Sequence, residues 1–502
     1  ANQYYSRSEF GAAFRTYTNA LEVSPSRIDL LSNRAAASIQ LGFWDRALQD
    51  TELVLQTNPT HKKCLYRKIK ALWGLNRYKD AFNFLKENES HVEGIDLDQA
   101  TKLVQQSLGH YDIAEMYTLD REKRHDIAEY FGPVEIKRIS GKGRGLVVKE
   151  KINMGQLIMC SKAFEIAFDQ DTIHFRGQNE IPDTTEWDNS NTCEGRVFEK
   201  LKMDASLRPQ IQKLYSGDDT DSQSKPWKTD DDLTKGLHSV MKFNSFRCEE
   251  NLSASTAGGK NLCALWILPS YFNHSCIDSN AYYQLFGDMM FVRAVKKIRE
   301  GEEVTITYWP VNHPARREVI AARNFMCECR LCQLERKDEE EGSPVPAKIS
   351  NLLKLIRQNF NSGNPNLDIS LECVRKIAAL RPELQRDLNV ALLSPEVDAL
   401  LKLTRICEKS IFILEAMHSV CANNALVFSS PFQSQNLARC YTGEKDAANV
   451  RKWWRVFKRD VLAAHGDFTQ GVKINELGLH ADEIEFYEKL EADPNAKLAS
   501  IS

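Results

Sequence analysis

The sequence predicts an α+β protein, and three observations carry that reading. A 34-residue period runs through the N-terminal segment, the middle of the chain is rich in Val, Ile and Leu broken by glycines, and the last third repeats apolar residues at helical spacing. At 502 residues the length allows roughly two to four domains and ample core. A hydrophobic content of 42% and a charged content of 27% are those of an ordinary soluble globular protein. The formal charge of −3 gives no support for bulk attraction to nucleic-acid phosphates, so no direct nucleic-acid binding is predicted, although a local basic face is compatible with it. No apolar run approaches the ~18 residues that span a bilayer, and the opening ANQYYSRSEF lacks a signal-peptide pattern. No membrane partner and an intracellular placement, nuclear and/or cytoplasmic, are therefore expected. Because Ala1 falls inside a segment read as helix, the sequence is expected to be a fragment lacking its first residues.

The helical array comes first in the chain. Phe10, Trp44 and Tyr78 are 34 apart, as are Ala13, Ala47 and Ala81, and Pro25 pairs with Pro59 at the same interval. A small Ala lets the two helices of a hairpin approach, the aromatic fills the gap between hairpins, and Pro ends the second helix. This is the pattern of tetratricopeptide repeats, expected over 1–117 with the stretch 95–117 as a cap. Such arrays bind partners, and Asn2, Asn33, Lys63 and Arg67 resemble the carboxylate clamp by which some of these domains hold the C-terminal EEVD tail of heat-shock chaperones. Amide and cationic donors converging on a carboxylate make charge-assisted hydrogen bonds. Asn33 and Arg67 are also common repeat-consensus residues without a ligand, which is the alternative reading.

A linker helix is expected over 118–132, ending before Pro133. The run VEIKRISGKGRGLVVKEKINMGQLIM then reads as β-hairpin material around Gly141-Lys142-Gly143-Arg144-Gly145. Glycines let a backbone approach a ligand closely, and Lys142 and Arg144 offer donors. Residues 164–240 form an insertion, polar and irregular around IPDTTEWDNSNT and SGDDTDSQSKPWKTDDD, whose acidic clusters read as solvated loop rather than as an attractor for a basic peptide. Beyond it come Asn244, Ser270, the block Asn273-His274-Ser275-Cys276 with Asn280, and Gly301-Glu302-Glu303 leading a β-rich run into Tyr308. Phe325 and then Cys327, Cys329 and Cys332 follow; among 13 cysteines only that last group has metal-ligand spacing. Most of the others, Cys64, Cys160, Cys248, Cys263, Cys373, Cys407, Cys421 and Cys440, read as small buried hydrophobes.

Four of these motifs, in this order between 138 and 332, resemble the SET domain, the fold of most protein lysine methyltransferases. The resemblance is to a SMYD-like core without its MYND zinc finger, since the insertion offers only Cys193, His174 and His238 where that finger needs seven or eight ligands; tetratricopeptide repeats joined to a SET domain are a fungal-type layout. It implies a SET domain over 133–322, a post-SET zinc segment over 323–336 and a C-terminal helical domain over 345–502 walling a peptide groove. It also implies S-adenosyl-L-methionine contacted by Lys142, Gly143, Arg144, Asn244, Ser270, Asn273, His274, Tyr308 and Phe325, with Asn273 and His274 using backbone and side-chain hydrogen bonds. By the same resemblance Cys276 is expected to complete the zinc set with Cys327, Cys329 and Cys332, and Tyr308 is the expected catalytic residue. Arg323 stands where SMYD-type enzymes often carry Tyr, so the number of methyls added stays open.

The expected activity is lysine N-methylation of a protein, with histone as the expected substrate class. The alternatives are a methyltransferase of non-histone proteins and a repeat-based scaffold, recruiting a chaperone or complex, whose SET fold is inactive. In the last third, ISNLLKLIRQNF and LLKLTRICEKSIFILEAMHSV have helical spacing, and Trp453 and Trp454 beside Arg451, Lys452 and Arg455 read as a core helix in preference to a partner site.

Overall fold

The computed structural model describes residues 1–120, 122–168, 185–217, 226–248, 262–308, 316–361, 366–382, 430–443, 446–466 and 481–493. The fold is α+β, with an N-terminal helical array, a β-rich middle and C-terminal helices. Among the described residues no helix is long and apolar enough to cross a membrane.

Helices α1 (Asn2–Ser6), α2 (Phe10–Val23), α3 (Ile28–Leu41), α4 (Trp44–Thr57), α5 (Lys62–Gly74) and α6 (Tyr78–Asn88) pack each on the next, and α3 also meets α5. The 34-residue period is visible as geometry: Ala13, Ala47 and Ala81 are completely buried, and Phe10, Trp44 and Tyr78 each open a helix. The Trp44 ring lies so close to Gly74 that a Cβ there would sit 2.0 Å from it. Helices α7 (Leu97–Ser107) and α8 (Ile113–Thr118) extend the array, each capped by an Asp side chain, Asp96 and Asp112.

The expected linker helix over 118–132 is not helical beyond Thr118 in its described residues. The backbone N–H groups of His125, Ala128 and Glu129 donate instead to Asp288 Oδ1, Gln106 Oε1 and Tyr78 Oη, each at 3.0 Å. Donors used by side chains of three other elements are not available for i→i−4 bonds, so tertiary contacts override a helix-favouring composition. Tyr130–Phe131 is strand β1.

The remaining strands are β2 (Val134–Ile139), β3 (Gly143–Val148), β4 (Leu157–Lys162), β5 (Glu165–Phe168), β6 (Ser245–Cys248), β7 (Leu262–Leu265), β8 (Asn273–His274), β9 (Ala281–Phe286), β10 (Met289–Ala294) and β11 (Glu303–Ile306). The described strands form three sheets, ordered β1-β4-β10-β9, β2-β3-β11-β8 and β5-β7-β6. Their core holds Leu146, Ile158, Trp266, Phe272, Val292 and Ile306.

The insertion over 164–240, polar and irregular in sequence around 181–192 and 216–232, contains regular elements in its described residues. It carries β5 and the helices α9 (Thr185–Met203), α10 (Arg208–Gln212) and α11 (Asp230–Asn244). The acidic cluster Asp230–Asp232 is exposed, as expected, but forms the first turn of α11 behind a Thr229–Asp232 capping box. Carboxylates there face the positive end of the helix dipole. The array packs on this insertion: Gly11 abuts Met203, and Gly42 abuts the ammonium of Lys200.

Helices α12 (Arg316–Ala321), α13 (Arg330–Glu340), α14 (Val345–Asn361), α15 (Leu367–Leu380), α16 (Ser430–Gly443), α17 (Ala447–His465) and α18 (Ala481–Ala492) follow. Trp453 and Trp454 are buried with Leu437, Phe457 and Tyr487, which makes α17 a core helix. Cys64, Cys160, Cys193, Cys263, Cys373 and Cys440 are buried free thiols. His174, Cys407, Cys421, the helical run read over 400–420 and the Cys248 side chain lie outside the described residues.

Candidate active site

Strand β11 organises the site. It pairs antiparallel with β3 through Glu303 and Val304, and parallel with β8 through Thr305 and Ile306. The chain after β8 stays against it: Asn280 donates from Nδ2 to Glu303 O at 2.8 Å and accepts from Thr305 N at 2.9 Å. A side-chain amide thus stands in for a strand backbone, which gives Asn280 its place beside the Asn273-His274-Ser275-Cys276 block. Thr307 is tied by its hydroxyl to Ser275 O and Ser279 Oγ, and Tyr308 emerges next.

Tyr308 is held from several sides. Its backbone N–H donates to His274 Nδ1 at 3.0 Å, its hydroxyl donates to Phe272 O, and its ring meets Phe325 edge-on at 6.3 Å. Burial pushes the phenol up to about 12, so it is a neutral hydroxyl. Because Nδ1 of His274 accepts, Nε2 carries the hydrogen and donates to Cys276 Sγ at 3.1 Å. Burial holds this imidazole at about 3, hence neutral. Both ring nitrogens are thus engaged inside the protein, one by the Tyr308 N–H and the other by the Cys276 sulfur.

The other expected cofactor residues gather on the same edge. Lys142 Nζ pairs with Glu303 Oε2 at 2.7 Å, and Asn273 Nδ2 donates to Glu303 Oε1 at 2.7 Å and to Arg144 O at 3.3 Å. Glu303 is therefore the hub of this corner, a role that the motif in which it sits did not reveal. Gly141 and Gly143 have φ of +72° and +76°, and a Cβ on Gly145 would lie 2.7 Å from Asn273 Nδ2. Arg144 is exposed, with its guanidinium 5.5 Å from the centre of the Tyr271 ring. Asn244 is buried, its Nδ2 donating to Tyr215 O and Val240 O at 2.7 Å each, and Ser270 Oγ donates to Trp266 O and Asn244 O. A glycine turn in the left-handed conformation, edged by an exposed guanidinium and an ammonium, suits a ligand with a carboxylate and a polar base, such as S-adenosylmethionine.

The four predicted sulfurs come together. Cys276, Cys327, Cys329 and Cys332 are buried with their Sγ atoms within 4.8 Å of one another, and Cys276 lies 3.7 Å from Cys327 and 3.6 Å from Cys332. Thiolates around a tetrahedral zinc at about 2.3 Å would be spaced by about 3.8 Å, so the donor set fits that ion. The Cys276 hydrogen bond pulls the Cys327 thiol down and reciprocally raises Cys276. Sequence reasoning missed Arg316, whose Nη1 donates to Cys276 Sγ at 3.3 Å and Cys332 Sγ at 3.1 Å while Nη2 meets Glu335 Oε1 at 2.5 Å. Its distance along the chain from Cys276 leaves no local signal of this contact.

In the array, Asn33 Nδ2 is 3.4 Å from Asn2 Oδ1, which also accepts from Tyr17 at 2.6 Å. Arg67 donates to Ser32 O at 2.8 Å and Ser32 Oγ at 2.5 Å, and Lys63 is exposed one turn away.

The strand-end tyrosine, the Asn-His-Ser-Cys block beside β11 and part of the cysteine cluster fall within or next to residues 143–309, which the SET domain family model matches. A methyltransferase of Gibberella zeae is 24% identical over 419 residues, 71% of this chain and 56% of that protein. The human histone-lysine N-methyltransferase SMYD3 is 32% identical over 174 residues, 29% of this chain and 40% of that protein. The small glutamine-rich tetratricopeptide repeat-containing protein 2 of Mycosarcoma maydis is 30% identical over 107 residues, 21% of this chain and 29% of that protein. The chain thus spans little more than half the length of the first of these relatives and less of the others.

Proposed function

We propose that the protein is an S-adenosylmethionine-dependent protein-lysine N-methyltransferase, with histone as the substrate class and the repeat array as a protein-binding surface. The observation that carries this reading is Tyr308: a neutral hydroxyl beside Phe325, anchored through its own backbone to His274. Bound S-adenosylmethionine supplies a sulfonium methyl, which the amine lone pair takes as the S–C bond breaks and its electron pair returns to sulfur. The acceptor must arrive neutral, although a lysine has a pKa of about 10.4 in water. Tyr308 and the Phe272 carbonyl that its hydroxyl meets would orient the amine, and Phe325 would close the channel against water. Lys142, Arg144 and Asn273 would hold the cofactor's polar ends; Cys276, Cys327, Cys329 and Cys332 would hold zinc, pinning Phe325 in place.

The Asn2, Asn33, Lys63 and Arg67 group would receive a peptide carboxylate, a chaperone tail being the proposed source. Its amides are already adjacent, which supports that reading. Methyl transfer from radiolabelled S-adenosylmethionine to core histones and to a cell extract, with Tyr308→Phe alongside, tests the assignment. Histone label lost in the variant supports it, and label only in the extract redirects the acceptor to non-histone proteins. No label together with no cofactor binding by calorimetry replaces it with a scaffold role.

A further inference from the structure

Two cations edge the glycine turn, and they are not equivalent. Lys142 Nζ is paired with Glu303 Oε2 at 2.7 Å, and the other oxygen of that carboxylate accepts from Asn273 Nδ2. The Arg144 guanidinium meets no carboxylate among the described residues; it lies over the Tyr271 ring, 5.5 Å from its centre. Arg144 is exposed, but its backbone is fixed: it stands in β3 opposite Arg138 of β2, and its carbonyl accepts from Asn273 Nδ2 at 3.3 Å. Tyr271 is fixed as well. It closes a single 3-10 turn over Pro269–Tyr271, is 8% exposed within the core of the sheets, and donates from its hydroxyl to Lys213 O at 3.4 Å. Phe272 alone separates it from β8 and so from Asn273. A guanidinium held over an aromatic face is attracted by the ring quadrupole and keeps its in-plane N–H donors for a second partner.

We propose that Tyr271 is a positioning residue for the cofactor: it holds the Arg144 guanidinium at the glycine turn to take the carboxylate at the amino-acid end of S-adenosylmethionine. This rests on the methyltransferase reading. The chemistry selects that end. The carboxylate is the cofactor's only anionic group, Lys142 already has a carboxylate partner, and a planar fork of donors matches the two oxygens of a carboxylate. An exposed Arg side chain otherwise samples many rotamers that binding must order, and a ring that orders it beforehand removes part of that cost.

The test is the calorimetric affinity of the full chain for S-adenosylhomocysteine and for methylthioadenosine, which keeps the adenosine and lacks the carboxylate. Tyr271→Leu is expected to weaken S-adenosylhomocysteine binding about two- to fivefold and to leave methylthioadenosine unchanged. Tyr271→Phe keeps the ring and binds both like wild type. Arg144→Gln loses about tenfold or more for S-adenosylhomocysteine alone, and adding Tyr271→Leu to it has no further effect. Arg144→Lys keeps the charge without the planar fork, at an exposed position, and also binds S-adenosylhomocysteine more weakly than wild type. Wild-type affinity in Tyr271→Leu, a loss shared equally by both ligands, or the same loss repeated in the Arg144→Gln background overturns the inference. Should Tyr271→Leu not fold, parity of Arg144→Lys with wild type overturns it. A wild type that binds neither ligand overturns the underlying cofactor reading, and this inference with it.

Discussion

His274 Nδ1 accepts the backbone N–H of Tyr308 at 3.0 Å, while the opposite nitrogen of the same ring donates to Cys276 Sγ at 3.1 Å. One imidazole therefore joins the cysteine cluster to the main chain of the proposed catalytic residue.

His274→Phe keeps a ring in this 5% exposed site but removes both hydrogen bonds. A displacement of about 1 Å at Tyr308 is enough to lower turnover on the order of 100-fold. Single-turnover kinetics with a parallel metal analysis should show that loss with the metal retained. Unchanged turnover would mean that Tyr308 is positioned without His274.

The cluster's outer contact gives a separate expectation. Arg316 donates to two of the four sulfurs, and contacts to metal-bound ligands are typically worth 10–100-fold in affinity. Arg316→Met should therefore release zinc to a chelator about 10–100-fold faster than wild type, read with a chromogenic metal indicator. Removing zinc altogether should expose the segment around Phe325 to protease.

What was legible in the sequence was what local spacing records. The 34-residue period predicted Ala13, Ala47 and Ala81 as helix-contact positions because a repeat writes its packing into the chain at fixed intervals. The Cys327, Cys329 and Cys332 spacing likewise encodes its own geometry. Glu303 as the partner of both Lys142 and Asn273, and Arg316 over the sulfurs, depend on pairing between distant strands and helices, which spacing does not carry. The linker failed for the same reason, since its backbone donors are claimed by Asp288, Gln106 and Tyr78. The α11 cap at Thr229 and Asp232 is a local signal, but the acidic run around it has the composition of solvated loop.

Gly141, in the turn, and Gly145, in β3, should respond differently to substitution. At Gly145 a Cβ would meet Asn273 Nδ2 at 2.7 Å, Glu303 Oε1 at 2.8 Å and Ile139 Cγ1 at 2.9 Å, forcing the hub apart. Gly145→Ala is expected to cost roughly 1–3 kcal/mol and to weaken cofactor binding. Gly141→Ala meets nothing within 4 Å and suffers only its φ of +72°, a cost of about 1–2 kcal/mol with the hub left intact. Denaturant midpoints and calorimetry on both variants separate the effects; cofactor affinity lost equally in the two would refute the hub.

His465 ends α17 at 1% exposure, where burial first, and the nearby Arg293 guanidinium second, bring its imidazole down to about 3 from an ordinary 6.5. Above pH 6.5 neither the folded nor the unfolded chain protonates it, so it leaves stability unaffected there. As the pH falls below 6.5 the unfolded chain takes up a proton that the folded protein refuses, and folding weakens by at most about 1.4 kcal/mol per pH unit. His274, held equally low, adds a like dependence to any variant that keeps it, so only a difference in slope reports on His465. Urea midpoints between pH 7.5 and about 4.5 should therefore fall less steeply in His465→Gln than in wild type, with parallel curves above about pH 7. Equal slopes throughout would mean that His465 accepts its proton in the folded protein, and that the contact between α17 and the Gly155–Arg293 edge of the SET domain opens to water before the domain unfolds.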